Sequence, residues 1–302
     1  MKVELNPNSC LFKNKSKAQI IQLISKYQKY YKDVIKQFIL DVGIDSKYIN
    51  SIIAIPNNPT YGTTIPLIKD KEIYFDIEIS DELMPYITLV PNTTEKFKAK
   101  SVIQHELFHC KEIKYLHDCN ALSNPSPSDN NFKITTTYDF LYDEAVNLWS
   151  EFYAVYHNRK INEWHEIPYI KPDIQDIDKW FNAMIVVAKS ASDNQAKFTK
   201  DMLHCLRSFW YHMISLIALH INTNEDLLIE DYITSEPPLF SEYFKHIYSY
   251  LKELLGLYPN WLSEENYISF GKTLFSIINY YHFDFSTPDL SDNFILKYAK
   301  ES

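Results

Sequence analysis

The chain has 302 residues, 46% of them hydrophobic and 15% aromatic, which is enough to bury a large core and too apolar for a disordered segment. Its formal charge is −9, and Arg159 and Arg207 are its only arginines, so the arginine-rich basic stripe of a nucleic-acid binder is absent. With four glycines and no G-x-G-x-x-G or Walker pattern, the sequence offers no phosphate cradle for nucleotide hydrolysis.

Residues 16–41 carry Ile20, Leu23, Ile24, Tyr27, Tyr31, Ile35 and Phe38 at three- and four-residue steps, which predicts a long amphipathic helix ended by Gly43. SIIAIP at 51–56 reads as a short strand, and NNPTYG as turn material. TTIPLI and EIYFDIEI follow, the second alternating Ile73, Phe75, Ile77 and Ile79 with Tyr74, Asp76 and Glu78, as a half-buried strand does. YITLV at 86–90 is a further strand candidate. Thr93 or Thr94 is expected to cap a helix over about 95–115, with Glu95 near its exposed amides.

Beyond that helix, SNPSPSDNN at 123–131 is a polar, proline-broken loop. A second helix is expected over about 138–158, and Pro168 and Pro172 then interrupt the chain. Helices near 173–192, 197–221, 239–256 and 263–281 follow, with a short terminal one after 290. The expected class is α+β: a mixed first domain over 1–165, then a helical region over 166–302 that either packs with the first or folds beside it.

His105-Glu106-Leu107-Phe108-His109 is an H-E-x-x-H motif. On a helix, residues i and i+4 share a face, so His105 and His109 can offer two imidazoles to one ion. Glu106 is rotated by one position, where its carboxylate can reach a water rather than the metal. Val102, Ile103, Leu107, Phe108 and Ile113 can fasten this helix to the strands before it. Cys110 follows the motif but points away from both histidines, and reads as a small buried residue.

A third ligand must come from elsewhere. The spacing of a metzincin would need histidine at 115 and glycine at 112, where this chain has Tyr115 and Glu112. The second helix offers Glu144 and Glu151, two turns apart on roughly one face, and Asp139, Asp143 and His117 are further donors. His204, His212 and His220 are spaced by eight and drift around their helix, so they cannot share a site.

Glu151-Phe152-Tyr153-Ala154 resembles the E-x-x-A element that completes a His-His-Glu site in gluzincin-type zinc metallopeptidases. The resemblance covers about residues 50–158. It implies His105, His109 and Glu151 as Zn2+ ligands, Glu106 as general base and Ala154 as the small residue that lets the two helices approach. Those families most often carry an acidic residue after the alanine, which orients a ligand histidine. Val155 stands there, which leaves that task to Asp143, Glu144 or a backbone carbonyl. Tyr153, Tyr156, His157 and Arg159 are candidates for stabilising an oxyanion.

The function implied is a zinc-dependent peptidase acting on a protein or peptide substrate through activated water. Two other readings of the same residues stand beside it: a non-proteolytic binding or regulatory protein on a zincin scaffold, and hydrolysis of a non-peptide amide. Four cysteines in so long a chain do not form a disulfide framework, and the start MKVELNPNSCLF lacks the apolar core of a signal peptide. The longest strongly apolar run, MISLIAL at 213–219, is too short to span a bilayer. A cytoplasmic protein with no membrane or nucleic-acid partner is the expectation.

Overall fold

The computed structural model describes residues 1–56, 58, 60–90, 92–119, 136–162, 170–189, 194–221, 238–277, 285–286 and 297–298. The chain divides into two compact units, residues 1–129 with 157–163, and residues 130–156 with 164–302. The class is α+β: a four-stranded mixed sheet lies in the first unit, and helices dominate the described part of the second.

In the first unit, β1 (Lys2–Glu4), β2 (Ile49–Ile55), β3 (Gly62–Lys69) and β4 (Glu72–Ser80) form a sheet in the order β1-β2-β4-β3. β1 pairs parallel to β2 and β2 parallel to β4, whereas β3 pairs antiparallel to β4 and stands at the edge. Asp70 and Lys71 turn the β3–β4 hairpin with φ of 52° and 68°, the left-handed pair that a two-residue hairpin needs. The alternation expected of β4 is observed. Ile73, Phe75, Ile77 and Ile79 are fully buried, and Tyr74, Asp76 and Glu78 are half-buried on the other face. On that face Asp76 accepts hydrogen bonds from Asn50 Nδ2 at 2.7 Å and from the Ser51 hydroxyl.

The helix α1 (Lys17–Val42) opens with a capping box between Ser16 and Gln19 and ends at Gly43, whose φ of 75° is the left-handed cap glycine adopts without strain. Its buried residues Tyr31, Val34, Ile35, Phe38, Ile39 and Val42 continue the predicted stripe. The helix α2 (Thr94–Asp118) packs on α1, β3 and β4, and Thr93 caps it by accepting from the Lys96 amide. YITLV does not form a strand: a 3-10 turn over Asp81–Tyr86 contains Pro85, and residues 87–90 are irregular. That turn already takes up Tyr86, and Pro85 beside it has no amide to donate to a ladder.

The helix α3 (Thr137–Asn162) runs through both units, its last residues belonging to the first. The second unit also holds α4 (Ile170–Lys189), α5 (Gln195–His220), α6 (Pro238–Leu257) and α7 (Glu264–Phe275). Pro172 lies in the first turn of α4, where its missing amide costs nothing. The loop at 123–131, Pro168, and residues 190–192 and 278–281 of the expected helices lie outside the described residues. The short helix expected after residue 290 is not what Lys297–Tyr298 forms: this is β6, paired antiparallel with β5 (Phe285–Ser286). Short strands of this kind carry no alternating pattern long enough to read.

The core of the second unit is aromatic. Trp149 contacts Phe152, Tyr258 and Trp261, and Phe209 packs between Phe181 and Tyr243. The α7 helix approaches α3 closely at Gly271, where a Cβ would stand 2.4 Å from the Leu141 carbonyl oxygen. Among the described residues, no helix is long and apolar enough to cross a membrane. Cys110 and Cys205 are buried free thiols, and Cys119 is an exposed one.

Candidate metal centre

The H-E-x-x-H motif lies in the middle of α2, with Ile103, Leu107 and Phe108 buried on its packed side. The two imidazoles sit one turn apart as the spacing requires: His105 Nε2 and His109 Nε2 are 3.0 Å apart and the rings meet edge to face. Two nitrogens that bind one tetrahedral zinc stand roughly 3.3 Å apart, so little movement separates this pair from ligation.

The third donor arrives on α3. The last turns of that helix are tied to α2 within the first unit: Asn158 Nδ2 donates to the Ser101 carbonyl at 3.0 Å and to its hydroxyl at 2.9 Å, and Asn162 Nδ2 donates to Gln104 Oε1 at 2.8 Å. His157 stacks on Phe108 with ring centroids 5.5 Å apart. Glu151 stands two turns before Asn158 on the same continuous helix. His105, His109 and Glu151 each offer a ligand atom, and these atoms all lie within 4.8 Å of one another. Among the described residues, this is the one group of three or more His, Cys, Asp or Glu side chains arranged to hold an ion. Two imidazole nitrogens and a carboxylate oxygen suit a borderline divalent cation such as zinc. Ala154, three residues after Glu151, is fully buried.

The other candidate third ligands are engaged elsewhere. Glu144 is buried and accepts from Arg207 through both Nε and Nη2. Its carboxyl is nevertheless pushed above its ordinary value, because burial outweighs the attraction of Arg207. Burial also raises the neighbouring Asp143, against the pull of Arg207. Asp139 works as part of the α3 cap, accepting from the Thr136 amide at 3.0 Å while its own amide donates to the Thr136 hydroxyl at 3.1 Å. His117 Nδ1 lies 3.6 Å from Asp118 Oδ1 in the last turn of α2.

Of the oxyanion candidates, Tyr153 is buried against the Tyr258 ring and Tyr156 stacks on Phe152. Burial, with Lys111 and Lys160 nearby, lowers His157 to about 4, so this imidazole is neutral near pH 7. Arg159, on the last part of α3, is half-buried.

Glu106 is buried, 6% exposed, and its surroundings were not foreseen from the sequence. Thr64 Oγ1 on β3 lies 2.8 Å from Glu106 Oε2 and 3.0 Å from the Glu106 carbonyl oxygen. On the same strand, the Cα of Gly62 faces the Glu106 side chain directly. Cys110, one turn further along α2, directs its thiol toward Thr64 Oγ1 at 4.0 Å. Burial and then the Glu106 charge push that thiol well above its ordinary value, so it stays protonated and can donate. One signal did exist: glycine is scarce in this chain, and a glycine at the start of a strand marks close approach of another group. Compared with known proteins, the chain matches no family model, no curated protein and no solved structure, so its likeness to zinc peptidases rests on these residues and their geometry alone.

Proposed function

We propose that the chain is a zinc-dependent peptidase, acting in the cytoplasm, that hydrolyses a peptide bond with activated water. The observation that carries this reading is the gathering of His105, His109 and Glu151 within 4.8 Å, with the buried Glu106 between the two histidines in sequence. A zinc ion held by those three residues would supply Lewis acidity, lowering the pKa of a bound water and polarising a carbonyl.

The remaining chemistry belongs to the chain. Glu106 accepts a proton from the attacking water and returns it to the leaving nitrogen, so no covalent enzyme intermediate forms. Thr64 holds one carboxylate oxygen of Glu106 with a hydrogen bond, and the fully buried residues around the motif, Ile103 and Leu107 among them, keep its helix rigid.

The test is cleavage of a mixed peptide library by the zinc-loaded chain, read by mass spectrometry. The expected result is a set of new termini that disappears with a chelator and returns with added zinc. A library left intact by zinc-loaded protein, across lengths from short peptides to unfolded proteins, would turn the reading toward a binding protein on the same scaffold.

A further inference from the structure

We propose that Thr64 and Gly62, on the edge strand β3, are positioning residues that set where the Glu106 carboxylate stands. This deepens the peptidase reading and rests on it. Thr64 Oγ1 lies within hydrogen-bond distance of two atoms of Glu106, Oε2 at 2.8 Å and the main-chain oxygen at 3.0 Å. A hydroxyl has one proton, and the carboxylate is the stronger acceptor. The bond fixes one carboxylate oxygen and leaves lone pairs on the other for a water or a substrate proton.

Gly62 acts through space. A Cβ there would lie 2.7 Å from Glu106 Oε1, 2.8 Å from Cγ and 3.0 Å from Cδ, three atoms of one side chain. Gly62 has no left-handed φ to explain it: Gly43 is the glycine with positive φ among the described residues. Glycine at 62 is therefore a matter of room for Glu106. The group an added methyl would displace is the end of that side chain rather than backbone, so the substitution moves the carboxylate more than it disturbs the strand.

Both residues belong to the strand whose outer edge has no partner among the described residues, and they flank Thr63, whose side chain is exposed. Anything that displaces β3 thus displaces the Thr64 hydroxyl and the Gly62 backbone together. A base held from the strand rather than from its own helix is coupled to whatever occupies that strand's surroundings.

Acetohydroxamate is a suitable probe because it needs no known substrate. A hydroxamic acid gives up a proton as its two oxygens close on a metal with an open position, and a nearby carboxylate takes that proton, so its affinity reports where the carboxylate is. The experiment compares the zinc-loaded full chain with Thr64→Val, Thr64→Ser, Gly62→Ala and Glu106→Gln, measuring zinc content and the acetohydroxamate Kd by calorimetry. Zinc content is expected to hold in all five proteins. Affinity is expected to fall roughly ten- to a hundredfold in Thr64→Val, the worth of one charge-assisted hydrogen bond, and at least about tenfold in Gly62→Ala. Thr64→Ser, which keeps the hydroxyl, is expected to stay within about twofold of wild type.

Wild-type affinity in both Thr64→Val and Gly62→Ala, with Glu106→Gln weakened, would overturn the assignment alone. Equal losses in Thr64→Val and Thr64→Ser would overturn it as well, since packing rather than the hydroxyl would then matter. A wild type that takes up no zinc, or that binds acetohydroxamate no better than Glu106→Gln, would overturn the peptidase reading and this assignment with it.

Discussion

Changing Glu106 to Gln is expected to leave zinc in place and to slow peptide cleavage by roughly 10²- to 10⁴-fold, the contribution of a positioned general base. The amide has the shape of the carboxylate, so the contact with Gly62 and the hydrogen bond from Thr64 can both persist. What it lacks is a site to accept the water's proton at neutral pH. The loss should fall on kcat with KM little changed, because Glu106 serves the proton rather than the substrate's ground state. Metal analysis alongside steady-state kinetics on a cleavable library peptide makes the check. Loss of zinc from this variant would mean that Glu106 holds the ion itself, and the division of roles within the motif would fail.

The largest expected effect on stability lies in the second unit. Arg207→Ala removes the partner of a buried carboxylate, for Glu144 is 8% exposed in its side chain while Arg207, at 46%, reaches water. Leaving a buried charge unpaired costs about 3 kcal/mol. The cost depends on pH. Burial holds the Glu144 carboxyl above the ordinary 4.5 even with Arg207 present, and removing Arg207 takes away a lowering influence, so the folded-state pKa rises further. A carboxyl whose folded pKa lies above its unfolded one binds its proton more tightly when folded. Its favourable contribution is complete below the unfolded value and is lost as pH climbs through the folded value. The deficit of Arg207→Ala should therefore be largest at pH 8 and shrink as pH falls toward 4.5. Urea unfolding of wild type and variant at pH 8 and pH 5 measures this, and adding Glu144→Gln should recover much of the loss at pH 8. An equal deficit at both values would show that lost packing on the Phe140 ring, which Arg207 covers at 5.7 Å, is what matters.

The elements that could be read in advance have patterns complete within a few turns. The stripe of α1, its Gly43 stop, the Thr93 cap and the alternation of β4 each depend on neighbours close in sequence. The His105–His109 pair belongs with them, since a helix by itself puts those imidazoles on one face. Glu151 is a different case. Spacing alone left it level with Glu144, and the E-x-x-A resemblance favoured it. The structure separates the two by an interaction with a distant residue, the engagement of Glu144 by Arg207.

What was not legible depends on tertiary register. Thr64 meets Glu106 across 42 positions of chain, and nothing in either local stretch announces the meeting. β1 is three residues long and pairs with a strand more than 40 residues away, so no periodicity marked it. YITLV had strand-like composition, but composition alone does not make a strand, and the 3-10 turn around Pro85 runs into its first residue. Gly62 read as turn material, and the scarcity of glycine in the chain hinted at a close approach without naming Glu106 as the group that makes it.

The most direct test of the account is the metal content of the chain, purified without a metal-binding tag and compared with His109→Ala and Glu151→Ala by elemental analysis. The prediction is about one zinc per wild-type chain, lost from both variants, because a site of three protein ligands does not survive the removal of one. Full zinc retained in Glu151→Ala would contradict the His-His-Glu site, and a wild type that binds no zinc after reconstitution would contradict the metal centre altogether.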